Sequence, residues 1–224
     1  MEPRENKPKT KVNYQDICEK IVANLPRNPK PRLLLHACCG PCSCYPLTYL
    51  CPLFDVTIYY ANSNIYPKEE YDHRLATLRE LLDDLKRDHG FDIGLVVPPY
   101  DNEEYMKPLL PFKDEPEGGK RCFLCYTLRM EEAYRYAAEQ DYDYFTTVMT
   151  VSRQKDSQKF NEIGKALSAK YPSVPYLFSD FKKNKGQEIG TSIRKQYDLY
   201  NQDYCGCQIS YEEALIRRER NAKP

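Results

Sequence analysis

The chain has 224 residues and balances 33 basic against 33 acidic side chains, so its formal net charge is zero. That balance excludes a general, non-specific nucleic-acid coat and leaves only a local basic patch able to dock one structured RNA. The length serves one well-buried core, and no apolar run approaches the ~18 residues that a membrane span needs.

Residues 1–16 are charged and contain proline, with no apolar signal core and no small-residue cleavage site. They predict a cytoplasmic protein with a flexible arm over residues 1–12, ahead of a single α/β catalytic domain over 13–224. The apolar run at 32–37 ends in Cys-Cys-Gly-Pro and predicts a buried first strand, with a helix over 43–53 after it. Residues 56–61 are β-branched and aromatic, and predict a second strand. Residues 67–88 form the clearest helix. Pro67 suits its first turn, Tyr71, Leu75, Leu78, Leu82 and Leu85 share a face, and Gly90 serves as the stop.

A third strand is expected at 93–97 and a loop-rich stretch at 100–120. From Arg121 the pattern is helical again. A fourth strand at 144–148, a helix at 156–171, a short fifth strand at 176–178 and closing helices at 187–200 and 211–220 complete the series. Strands alternating with helices predict an α/β fold, a mostly parallel sheet with helices on both faces. In such sheets ligands sit beyond the carboxyl ends of the strands. Cys38 and Cys39 follow the first strand directly, which puts them on that rim.

Eight of the ten cysteines fall in three groups: Cys38-Cys39-Gly-Pro-Cys42-Ser-Cys44, Cys122-Phe-Leu-Cys125 and Cys205-Gly-Cys207. In a reducing compartment such grouping points to metal ligation or thiol redox chemistry rather than structural disulfides. Cys122 and Cys125 lie one turn apart at a helix start, where the helix N-terminus and Lys120-Arg121 favour thiolate. With Cys38 and Cys39 they make four soft ligands, enough for zinc or an iron–sulfur cluster. Adjacent cysteines on a tight turn are expected to aim apart, which suits two corners of a cubane better than one tetrahedral ion. Buried, inert thiols are the alternative. Cys42 and Cys44 are within reach of the rim as spare ligands or a helix-start thiol; Cys18 and Cys51 read as small core residues. Cys205 and Cys207 are either a strained, reducible disulfide or two free loop thiols. His36 reads as a packed, satisfied ring.

The order of strands and helices resembles the adenine-nucleotide α-hydrolase-like (HUP) fold with a C-terminal helical extension. Where an ATP-pyrophosphatase of that order carries a Ser-Gly-Gly-x-Asp-Ser loop, this chain has Cys-Cys-Gly-Pro-Cys-Ser, which exchanges the phosphate cradle for thiols. Basic residues gather late: Arg153, Lys155 and Lys159 after the fourth strand, then Lys182, Lys183, Lys185, Arg194 and Lys195. Converging on the thiol rim, they suggest a polyanionic substrate.

Five motifs occur in order: His36-Ala-Cys-Cys-Gly-Pro-Cys-Ser43, Asn64-Ile-Tyr-Pro-Lys-Glu-Glu-Tyr-Asp-His-Arg74, Gly119-Lys-Arg-Cys-Phe-Leu-Cys-Tyr126, Thr146-Thr-Val-Met-Thr-Val-Ser-Arg-Gln-Lys155 and Gln202-Asp-Tyr-Cys-Gly-Cys207. With them the chain resembles the QueH-type, cobalamin-independent epoxyqueuosine reductases over about residues 32–211. The resemblance implies reductive removal of the epoxide oxygen of epoxyqueuosine in tRNA. The product is queuosine at the wobble position of tRNA(Asp), tRNA(Asn), tRNA(His) and tRNA(Tyr). It implies a [4Fe-4S] cluster on Cys38, Cys39, Cys122 and Cys125, and a redox-active pair at Cys205 and Cys207. It also implies an unidentified electron donor, with Cys42 a further candidate ligand for the cluster or an additional iron. Two other classes fit the thiols: a zinc-stabilised tRNA-binding module, and an iron–sulfur tRNA sulfur-transfer enzyme, against which the missing phosphate loop counts.

Overall fold

The computed structural model describes residues 11–221. The expected arm falls outside the described residues except for Lys11 and Val12. Val12 exchanges two backbone hydrogen bonds with the Gln158 side chain, donating its N–H at 3.1 Å and accepting at 2.9 Å.

Four strands form one parallel sheet in the order β3-β2-β1-β4, with β1 at Arg32–His36, β2 at Asp55–Tyr59, β3 at Gly94–Val96 and β4 at Tyr144–Thr147. Leu33 stands opposite Val56 on one side and Tyr144 on the other, so β1 is central. Leu33, Leu34 and Leu35 are fully buried, as a strand covered on both faces requires. An unanticipated helix, α1 (Tyr14–Ala23), precedes the sheet. It is held by a stack of Tyr14 on Phe178 and by Gln15, whose Oε1 accepts the Asp180 N–H.

Helix α2 (Gly40–Leu50) starts three residues before the expected position, because Pro41 can open its first turn. Helix α3 (Lys68–His89) ends on Gly90 in the left-handed conformation (φ 69°), as expected. The stretch expected as loop folds into α4 (Asn102–Met106) and a 3₁₀ turn (Lys107–Phe112). Its prolines sit where a 3₁₀ turn tolerates them, and Met106 and Leu109 bury against Cys125.

Helix α5 (Lys120–Glu139) leads into β4, and α6 (Ser157–Lys170) follows it. The fifth strand is reduced to one parallel bridge between Phe145 and Tyr176. Pairing stops there because the Ser179 N–H goes instead to Asn161 Oδ1, at 3.1 Å. Helices α7 (Gly186–Gln196) and α8 (Gln208–Asn221) close the chain. Helix α2 packs on α3 and α7, while α5 packs on α6, β1 and β4. Right-handed crossovers put these two groups on opposite faces of the sheet.

Candidate active site

The carboxyl end of β1 delivers its thiols to the rim. Ala37 continues the ladder by donating its N–H to Tyr59 O, and its own carbonyl accepts from Asn62 Nδ2 at 2.9 Å. Cys39 is fully extended (φ −174°, ψ 165°) and caps α2, whose first turn brings Cys42 back over the pair. The sulfurs of Cys38, Cys39 and Cys42 lie within 4.8 Å of one another, and those of Cys38 and Cys39 are 3.8 Å apart. The expectation that adjacent cysteines aim apart is therefore wrong: extended backbone followed at once by a helical turn makes the three sulfurs converge. A single tetrahedral ion with 2.3 Å bonds needs its sulfurs roughly 3.8 Å apart.

Cys122 and Cys125 line the first turn and a half of α5. Neither joins the trio at single-ion spacing among the described residues. They are linked to it by charge. Arg129, one turn beyond Cys125, is buried at 2 % exposure and lies close enough to feel the thiolates of both Cys125 and Cys38. Its guanidinium donates to Ala61 O at 3.0 Å and to Asn62 Oδ1. Among the described residues it has no carboxylate partner.

Three of the four expected ligand sulfurs accept a hydrogen bond. Gln202 Nε2 donates to Cys39 Sγ at 3.0 Å and the Gly118 N–H to Cys122 Sγ at 3.3 Å, while the Tyr105 hydroxyl shares its single hydrogen between Cys125 O at 2.9 Å and Cys125 Sγ at 3.3 Å. The Cys38 thiol is held well below its ordinary range, chiefly by the thiols of Cys39 and Cys42, with Lys155 and Arg129 adding positive charge. Cys39 is pushed up to about 12 by sharing with Cys38, so the trio ionises first at Cys38. On α5 the expected lowering does not appear. Burial raises Cys125 to about 11 against the pull of Arg129 and Tyr105, and it also raises Cys122.

A cavity of about 460 Å³ is walled by Cys38, Cys42, Tyr126, Lys155, Gln202 and Cys205. Lys155 lies 5.4 Å above the Tyr126 ring. Burial disfavours its ammonium, yet the opposing charges of Cys205 and Cys38 raise its pKa.

Cys205 and Cys207 are free thiols in this structure. Gly206 between them has φ 132°, which an L side chain rarely adopts, and its carbonyl accepts the Tyr66 N–H at 2.8 Å. Buried Arg74 donates to the carbonyls of Cys205 (3.1 Å) and Tyr204 (3.2 Å). Cys207 donates its thiol hydrogen to Ser210 Oγ at 3.4 Å, in the first turn of α8. Helix α3 and helix α8 thus hold the loop from either side.

Sequence reasoning missed Arg74, Arg129, Gln202 and Tyr105 as neighbours of the thiols. Arg74 and Gln202 lie inside the quoted motifs, and Arg129 sits one turn after Cys125 on the same face. Only Tyr105, in the unread helix α4, left no signal. His36 is the satisfied ring expected, bonded to Thr147 Oγ1 at 2.9 Å, with burial pulling its pKa down to about 3.

The sequence model of the family described as epoxyqueuosine reductase QueH matches residues 33–213. Relatives carrying that name include one from Staphylococcus aureus (strain Mu50), 38% identical over 200 residues, spanning 88% of this chain and 83% of its own. One from Streptococcus pyogenes serotype M1 is 36% identical over 220 residues, 96% and 86% of the two chains. One from Thermotoga maritima is 31% identical over 194 residues, 85% and 94%. A parallel sheet with thiols converging on its carboxyl rim and this similarity along most of the chain lead to one assignment: the protein belongs to the QueH family of epoxyqueuosine reductases.

Proposed function

We propose that this chain reduces epoxyqueuosine in tRNA to queuosine, using a [4Fe-4S] cluster and a dithiol. The observation that carries the metal is Arg129. A buried guanidinium with no carboxylate partner is costly, by about 3–5 kcal/mol when a pair is broken. Of the acidic groups that act on it, Cys125 and Cys38 come first, ahead of Tyr105 and Cys205, and as metal-bound thiolates they would carry the missing negative charge. The hydrogen bonds received by Cys39, Cys122 and Cys125 are also of the kind that orient ligands and tune clusters. The donor set fits the group.

Held by Cys38, Cys39, Cys122 and Cys125, such a cluster would supply electrons singly. The remaining steps fall to the chain's own residues. The cavity receives the modified base, and Lys155 stands where the departing oxygen gains negative charge. Deoxygenation breaks both epoxide C–O bonds, forms the alkene and takes up two electrons and two protons. Cys205 and Cys207, as a dithiol, hold that many of each. Their oxidation forms one S–S bond and leaves water as the second product, and an external electron donor then reduces the disulfide.

The convergence of Cys38, Cys39 and Cys42 favours a second reading of the trio, as ligands of one ion: zinc in a tRNA-binding module, or an additional iron beside the cluster. Anaerobic purification with metal and sulfide analysis, and spectra before and after dithionite, separates these. The reductase gives iron and sulfide that bleach on reduction; a colourless protein with zinc alone overturns it. Cys205→Ser and Cys207→Ser should each abolish turnover and keep the cluster absorbance. Loss of that absorbance would make these residues ligands instead.

A further inference from the structure

Three cavities meet at the strap of residues 151–155 that follows β4. The thiol cavity is the first. A second, of about 720 Å³, carries Lys11, Arg153, Lys155, Lys182 and Lys183, with Asp156 and Asp180 as its carboxylates. A third, of about 420 Å³, reaches Cys42 from the other side and carries Arg153, Thr191 and Arg194. The compartments share walls. Lys155 lines the first and second, Arg153 the second and third, and Cys42 and Gln202 the first and third.

The two carboxylates of the basic cavity are engaged. Asp156 accepts the Gln158 N–H at the start of α6, and Asp180 accepts the Ser157 hydroxyl, both at 2.9 Å, and lies 3.6 Å from Lys182. Among the described residues Lys11, Arg153, Lys155, Lys183 and Arg194 have no carboxylate partner. Lys155 faces the thiols of the first cavity; the other four cations, distributed over the two adjoining cavities of a chain of zero net charge, leave a local positive field that suits an anionic partner.

The shape selects among anions. A protein partner needs a broad patch of roughly 800 Å² with an apolar centre, and among the described residues only Val12, of the exposed large apolar side chains, lines either outer cavity. Separate concave compartments divided by a narrow ridge suit single-stranded RNA, whose unstacked bases splay into pockets while its phosphates run along cations.

We infer that the strap of residues 151–155 is a saddle over which the anticodon loop is drawn. The modified base enters the thiol cavity and a neighbouring nucleotide enters the cavity of Thr191 and Arg194. The loop's phosphates follow Arg153, Lys182 and Lys183 into the groove beside Lys11. The inference rests on the reductase reading, since it takes tRNA as the substrate.

The test is fluorescence anisotropy of a labelled anticodon stem-loop RNA with guanine at the wobble position, titrated at several salt concentrations. This probe carries no epoxide, so binding is read without turnover. Lys183→Ala and Arg194→Ala should each weaken binding roughly three- to tenfold and lower the salt slope by about 0.7. Lys165→Ala, exposed on α6 away from the saddle, should change neither. Circular dichroism and iron content confirm that each variant is intact. Unchanged affinity and slope in both saddle variants overturn the path. So does normal RNA binding with turnover slowed only when a protein electron donor is supplied, which would make the patch a donor site. The reductase reading fails separately, if the wild-type protein binds the stem-loop with these dependences yet leaves epoxyqueuosine unreduced.

Discussion

At the scale of single residues, burial sorts ten chemically identical thiols into different roles. Cys18, Cys44 and Cys51 are each pushed up to about 12, with burial the largest cause. A thiol raised that far carries almost no thiolate at pH 8, and thiolate is the nucleophile. Cys205 and Cys207 are half-buried on an open rim. In metal-free native protein at pH 8, a disulfide-exchange reagent should therefore modify Cys205 and Cys207, and Cys38 on the wall of the same cavity as Cys205, well before Cys18, Cys44 and Cys51. It should reach those three only after unfolding. Peptide mapping by mass spectrometry checks this, and native labelling of Cys51 at the rate of Cys205 contradicts it. Cys18 and Cys51 were legible as core residues because their sequence neighbours are apolar. Cys44 was not. Spacing put it near the rim, but in α2 it stands two residues beyond Cys42, on a different face, and its thiol turns inward to Gly40 O at 3.6 Å.

At the scale of elements, a loop that must present two thiols is fixed by the helix it crosses. Arg74 of α3 pairs through Nε with Glu70 at 2.7 Å, and each of its two terminal nitrogens donates to one carbonyl, Nη1 to Cys205 and Nη2 to Tyr204. It is 2 % exposed, so solvent does not screen the pair. Arg74→Met should cost about 3–5 kcal/mol in urea denaturation, because Glu70 then stays partly buried beside a hydroxyl alone. Arg74→Lys keeps the charge but loses the planar fork that reaches two carbonyls at once. It should retain most of the stability yet speed thiol modification of Cys205 and Cys207. Equal rates in Arg74→Lys and wild type would mean that Tyr66 and Ser210 suffice to hold the loop. This clamp was invisible in the sequence, since Arg74 and Cys205 are 131 residues apart. The four strands and the helices at their ends were legible, because apolar runs and helical spacing are local signals. Helix α4 spans only five residues, too few to show a period. Tyr14, Ile17, Cys18, Ile21 and Val22 of α1 do recur at helical spacing and were legible but passed over beside the charged arm. The fifth strand was over-read because Asn161, distant in sequence, captures the backbone that would have continued it.

At the scale of the molecule, the four proposed ligands come from two elements: the turn after β1, which leads into α2, and the start of α5. Helices α2 and α5 lie on opposite faces of the sheet, so a group bound by all four would join the two layers at the rim. Anything that binds only the folded state stabilises it, by about 4 kcal/mol at a thousandfold excess over its dissociation constant. For a chain of this size that corresponds to roughly 8–16 °C in melting temperature. Anaerobic removal of the metal with a chelator should lower the melting temperature by that order. Cys38→Ser and Cys122→Ser should each abolish the difference between loaded and stripped protein, because losing either wall releases the joint. An ion held by the trio of Cys38, Cys39 and Cys42 predicts otherwise: Cys38→Ser would remove the difference and Cys122→Ser would leave it intact. Differential scanning calorimetry of the two variants, loaded and stripped, therefore decides whether the metal spans the sheet's rim or sits on one edge of it.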